Sequence, residues 1–249
     1  MGSALAAYGQ FLTTANTRLP NNRTAIELVA RGIEASGFQL GEDVAIAVDV
    51  AATQFVTQEG LYHFVAEDRF LESAELVDEV ATWCRDFPIV SIEDVLAEDD
   101  WGGWKYASEH LAGIQLLGDD LFVTQVERLA EGKALGVANA VLVKVNQNGT
   151  LTGGLDVVTQ AQRTSYAPVI SARSGETEDT WLADIAVGSR AGQIKVGSTT
   201  RSERTAKWNR LLQIERAASL LGNVEYAGRN VLTPRIDDEA NRDLRPDHL

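Results

Sequence analysis

A single cysteine, Cys84, stands in 249 residues, which excludes an internal disulfide and matches the usage of a cytosolic protein. Cys84 lies beside Trp83 in a stretch of helical period and reads as a buried helix residue. With three histidines in the chain, no histidine and thiol set for zinc can be assembled. No apolar run approaches the roughly 20 residues that cross a bilayer, so no membrane partner is expected. The opening Met1-Gly2-Ser3 lacks the charged and apolar regions of a signal peptide. Positive charge is scarce, with 22 Lys and Arg against 36 Asp and Glu. A net charge of −14 repels a phosphate backbone, which argues against nonspecific nucleic-acid binding. An anionic ligand would need locally placed cations or a metal. Neither a GxGxxG nor a Walker sequence follows any strand, so the usual nucleotide loops are missing too.

What is present is alternation. Short β-rich runs at Val44–Val50, Ile89–Ile92, Gln115–Gly118, Ala140–Val145, Pro168–Ser171 and Gln193–Val196 predict strands. Helical periodicity fills Thr24–Ser36, Glu72–Arg85, Val123–Leu135, Leu151–Thr164, Asp179–Gly188 and Arg201–Leu220. This order predicts an α/β fold with a parallel sheet, either closed as a barrel or doubly wound. Residues 1–19 read as a divergent N-terminal segment, 20–232 as the folded domain and 233–249 as a polar tail too poor in apolar residues for a core.

Each strand hands a polar residue to its C-terminal end. In order these are Asp49, Glu93 with Asp94, Asp119 with Asp120, Lys144, Arg173 with Ser174, and Lys195. In a barrel all would converge on one rim, the rim where active sites of that fold sit. Three carboxylates from neighbouring strands make a hard-oxygen site suited to Mg²⁺. Lysines and an arginine facing them would hold an anionic substrate, and a lysine beside a metal can act as a base.

The words around these residues carry a resemblance: Asp49-Val50-Ala51-Ala52, Ser91-Ile92-Glu93-Asp94, Gly118-Asp119-Asp120-Leu121, Lys144-Val145-Asn146-Gln147, Ser174-Gly175-Glu176-Thr177-Glu178-Asp179 and Gln193-Ile194-Lys195. They resemble enolase motifs, in enolase order, from about Pro20 to Asn230. The resemblance implies an enolase-type TIM-like barrel and a lyase reaction, the interconversion of 2-phosphoglycerate and phosphoenolpyruvate with Mg²⁺. It implies metal ligation by Asp49, Glu93 and Asp119, proton abstraction by Lys144, phosphate binding by Arg173 and Ser174, and substrate carboxylate binding by Lys195. Asp120 would support its neighbour Asp119. A homodimer and a cytoplasmic location are further family expectations.

Three departures from the family pattern stand out. Ala172 occupies a position where enolases carry a histidine, Val95 replaces a proline, and Gly9–Thr14 lacks the Gly-Asp-Glu-Gly-Gly segment that supplies a catalytic acid. The match also begins after the region where enolases place a capping domain and the first two barrel strands. An incomplete barrel of about six βα units is therefore expected, as a fragment, a truncated product, or a chain completed by its opening residues, its tail or another subunit. Two further functions fit these departures: a relative like carboxyphosphonoenolpyruvate synthase of phosphonate antibiotic biosynthesis, or a non-catalytic enolase-like protein. His63 and His110 read as surface or satisfied core histidines and His248 as part of the tail. Trp101 and Trp104 read as packing on the barrel exterior, and Glu98, Asp99 and Asp100 as a solvated helix cap.

Overall fold

Alternation along each strand decides where every side chain of this fold goes. A computed structural model describes residues 19–220, 222 and 226–232. Six strands, β1 (Ile46–Asp49), β4 (Ile89–Glu93), β5 (Gln115–Gly118), β6 (Ala140–Val143), β7 (Ala167–Ser171) and β8 (Gln193–Lys195), pair in parallel in that order. Between β1 and β4 a separate antiparallel hairpin forms from β2 (Tyr62–Phe64) and β3 (Arg69–Leu71). The helices are α1 (Asn22–Ala35), α2 (Ser73–Asp86), α3 (Trp101–His110), α4 (Val126–Leu135), α5 (Val145–Asn148), α6 (Leu151–Arg163), α7 (Trp181–Gly188) and α8 (Ser202–Ser219). The parallel sheet curls into an incomplete TIM barrel, as the sequence predicts, with β1 and β8 as its two edges.

Successive strand residues face opposite sides of the sheet. Ile92, Leu116, Val141, Val143 and Ile170 point outward and join the large core against Leu76, Val80, Trp104, Leu129 and Val157 of the helices. Their neighbours Leu117, Ala140, Leu142, Ala167 and Val169 form a second, smaller apolar cluster inside the curl. A polar bridge also spans the inner face: Gln115 of β5 and Gln193 of β8 exchange amide hydrogen bonds of 3.1 and 2.8 Å, and Gln115 Nε2 donates to Ser91 Oγ at 3.0 Å. These strands are three apart in the sheet, so only curvature brings the two amides together.

Local chemistry starts and stops the helices. The Asn21 side chain accepts from Thr24 N ahead of α1, Glu72 and Glu75 make a reciprocal capping box on α2, and Thr150 accepts from Gly153 N on α6. Gly136, at φ 69°, closes α4 in the left-handed conformation that glycine adopts without strain. Among the described residues, no helix is long and apolar enough to cross a membrane.

Several expectations shift in detail. The strand expected to run to Val145 stops at Val143, because Val145 opens α5. The helix expected from Val123 starts at Val126, since Val123 and Thr124 are left-handed at φ 42° and 53°. Asp100 is more than a solvated cap: it accepts from Gly103 N at 2.9 Å, from Tyr62 Oη at 3.0 Å and from Ser73 Oγ at 2.5 Å, tying hairpin, α2 and α3 together. Trp104 is fully buried, and Arg128 lies over the half-buried Trp101. His63 stacks on Phe70 and His110 on Tyr106. Cys84 is partly exposed and packs against the main core. His248 and the tail lie outside the described residues.

Gly132 gives a test of how tightly this shell is packed. Alanine is a better helix former by about 1 kcal/mol. A Cβ at Gly132, however, would sit 2.5 Å from the ring of Phe122, which is fully buried and has Gly118 on its other flank. Overpacking costs about 1–3 kcal/mol, so the clash outweighs the propensity. Gly132→Ala should lower stability, read as a reduced denaturation midpoint; an unchanged or raised midpoint would show that the ring has room to move.

Candidate active site

Inward-facing positions continue past the strand ends. Ala47 leads to Asp49, Ser91 to Glu93, Leu117 to Asp119, Leu142 to Lys144, Ser171 to Arg173, and Gln193 to Lys195. The same two-residue period that builds the apolar lining therefore ends in a charged rim.

Lys195 is the hub of one half. Its Nζ donates to Glu93 Oε1 and Oε2 at 2.6 and 2.7 Å and to Asp49 Oδ2 at 3.1 Å. Glu93 is 4% exposed. Burial raises its carboxyl above the ordinary range, with Lys195 pulling it down and Asp49 and Asp119 pushing it up again. Burial alone would lower the Lys195 pKa, but Glu93 and Asp49 overcome it and hold the ammonium above the ordinary lysine value.

The other half is built on Asp119. Its Oδ2 accepts from Lys144 Nζ, while Oδ1 is buried and has no hydrogen-bond partner among the described residues. Both Asp119 and Asp120 are presented by Asp94, whose two carboxylate oxygens accept from their backbone amides at 2.9 Å each. Burial pushes the Asp94 carboxyl up to about 7, against the pull of those two amides. Burial and Asp119 raise Asp120, opposed by Lys144 and Arg173, which places these groups within electrostatic reach of one another. The sequence reading gave Asp120 the supporting role; the hydrogen bonds give it to Asp94.

Lys144 is positioned by Thr124, a residue that motif reading passes over. The buried Thr124 Oγ1 accepts from Lys144 N at 3.0 Å and donates to Gln147 Oε1 at 2.7 Å, and its carbonyl accepts from Asn148 Nδ2 at 3.0 Å. Arg173 and Ser174 follow β7 and are exposed; among the described residues the Arg173 guanidinium has no ion-pair partner. Ala172 is 9% exposed and packs into the helix-facing core, with its amide on Lys195 O at 2.9 Å. Gly9–Thr14 lies outside the described residues.

The donor set suits a hard divalent cation. Five carboxyl groups, on Asp49, Glu93, Asp94, Asp119 and Asp120, share the rim with two lysine side chains, Lys144 and Lys195, so oxygen donors outnumber amines. The orphaned Asp119 Oδ1 is a buried acceptor that a cation would satisfy. Oxygens of Asp94, Asp119 and Asp120 lie within 4.8 Å of one another, but both Asp94 oxygens are already engaged by amides. Asp119 is thus the best-placed ligand of that group.

The Asp94 clamp yields a graded prediction. Alanine removes both acceptors and asparagine keeps one, and each buried amide left unpaired costs about 1–3 kcal/mol. Stability measured by urea denaturation should fall in the order parent, Asp94→Asn, Asp94→Ala. An asparagine variant as stable as the parent would contradict the clamp.

The chain matches the family model described as "Enolase, C-terminal TIM barrel domain" over residues 11–235. It is 50% identical over 214 residues to a protein named Enolase from Wolinella succinogenes, covering 86% of this chain and 50% of that protein. It is 50% identical over 215 residues to an Enolase from Legionella pneumophila strain Corby, with the same two shares. The chain spans about half the length of these curated relatives. With the curled parallel sheet and its charged C-terminal rim, these matches place the chain in the enolase family, on its C-terminal TIM barrel domain.

Proposed function

We propose that this rim is the catalytic half-site of an Mg²⁺-dependent, enolase-type lyase that interconverts 2-phosphoglycerate and phosphoenolpyruvate, or acts on a closely related phosphorylated carboxylate. The observation that carries this reading is Asp119. One of its oxygens holds Lys144 Nζ, and the other is a buried acceptor without a donor among the described residues. A base and a cation seat thus share one carboxylate.

In this reading Asp49, Glu93 and Asp119 hold Mg²⁺, which when bound supplies positive charge beside the substrate carboxylate. Lys144 Nζ takes the α-proton. Thr124 fixes the Lys144 backbone, so the amine approaches from a constant direction. Lys195, kept protonated by its two carboxylates, faces the substrate carboxylate and offsets the charge that builds as the proton leaves. Arg173 and Ser174, exposed at the end of β7, hold the phosphate. The departing hydroxide needs a proton from an acid, and Gly9–Thr14, the region where the family's acid segment is expected and its sequence is absent, lies outside the described residues.

The test is phosphoenolpyruvate formation from 2-phosphoglycerate with Mg²⁺, by the full chain and by Lys144→Ala. Loss of a positioned general base lowers turnover by about 10²–10⁴-fold. Turnover by the parent with a loss of that order in the variant is expected. A variant as fast as the parent would remove Lys144 from the chemistry, and binding without turnover by the parent would favour a non-catalytic enolase-like protein.

A further inference from the structure

Helix α8 has one buried residue, and it is a lysine. Lys207 has no exposed surface. An amine on a surface helix normally extends to water, and burying it costs several kcal/mol unless it is paired. Lys207 Nζ instead turns under the loop that follows β7. It donates to Thr177 O at 2.6 Å, pairs with Glu176 Oε2 at 3.1 Å and lies 4.0 Å from Asp179 Oδ1.

The second oxygen of Glu176 completes a relay. Glu176 Oε1 accepts from the backbone amide of Arg173 at 2.8 Å. The same carboxylate therefore joins the α8 ammonium to the residue that begins the loop. Arg204, one turn before Lys207, adds a parallel tether by donating to Ser174 O at 3.1 Å and Val196 O at 2.9 Å. The loop has little else to hold it, since Arg173, Ser174, Gly175, Thr177 and Glu178 are all exposed.

We infer that Lys207 is a positioning residue for the anion-binding loop: it neutralises Glu176 and fixes that carboxylate on the Arg173 amide, leaving the Arg173 guanidinium and Ser174 hydroxyl free for the phosphate of the substrate. The inference rests on the assignment of Arg173 and Ser174 proposed above. Without the ammonium, Glu176 becomes an uncompensated anion beside the loop. It would repel an incoming phosphate and compete for the Arg173 side chain.

Charge reversal of cause and effect separates this role from a merely structural one. In titrations of the full chain with 2-phosphoglycerate and Mg²⁺, Lys207→Met should weaken affinity about tenfold, the loss of roughly one charge-assisted contact. Hydrogen exchange of the Arg173 amide should accelerate by a similar factor. The double variant Lys207→Met with Glu176→Gln, which removes the stranded charge, should recover affinity to within about threefold of the parent. A double variant that binds no better than Lys207→Met, or unchanged Arg173 protection in Lys207→Met, would overturn the inference. If Lys207→Met does not fold, the double variant decides alone: parent-like affinity supports the inference and a tenfold loss overturns it. Arg173→Ala controls for the underlying assignment. Affinity unchanged in that variant would remove Arg173 from the site, while the exchange measurement still decides whether Lys207 holds the loop.

Discussion

The ammonium of Lys195 is the interaction on which the rest of this arrangement depends. It stands at the end of β8, one edge of the sheet, and grips Asp49 at the end of β1, the other edge, together with Glu93 of β4. A flat sheet would hold β1 and β8 five strand spacings apart, far beyond the reach of a side chain. The curl and the contact go together, since the bend lets one cation serve two carboxylates. The Gln115 and Gln193 pair does the same work on the inner face without charge.

Around that hub the rim is built from unusual backbone. Ala51 after β1, Asp94 after β4, and Val123 with Thr124 after β5 all have positive φ, although none is glycine. Such residues cost about 1–3 kcal/mol each, and β-branched ones are the hardest to hold there. The turns after β4 and β5 are each matched by a bond that uses them. Asp94 collects two amides, and Thr124 receives Lys144 N while tying down α5.

Much of this was legible in the sequence because strands and barrel rims obey short-range rules. Alternation placed Glu93, Asp119, Lys144 and Lys195 at strand ends, and the period of 3.6 found every helix but α3 and α5 to within a few residues. The supporting residues were harder to see. Asp94 looks like a duplicate of Glu93 until its oxygens are found on the amides of Asp119 and Asp120. Thr124 sits in a stretch that reads as helix, and only its left-handed backbone turns its hydroxyl toward Lys144. Lys207 belongs to no motif in the sequence. Its partners are some 30 residues away along the chain, a distance at which periodicity carries no information. The hairpin strand β3, three residues long, is too short for any pattern to declare it.

The account stands on the claim that the carboxylate rim seats a divalent cation through Asp119. Calorimetric titration of the full chain with Mg²⁺, alongside Asp119→Asn, measures this most directly. The account predicts saturable binding by the parent and at least about tenfold weaker binding by the variant, which keeps the shape of the side chain but not its charge. Equal binding by the two proteins, or no saturable binding by the parent, would contradict it.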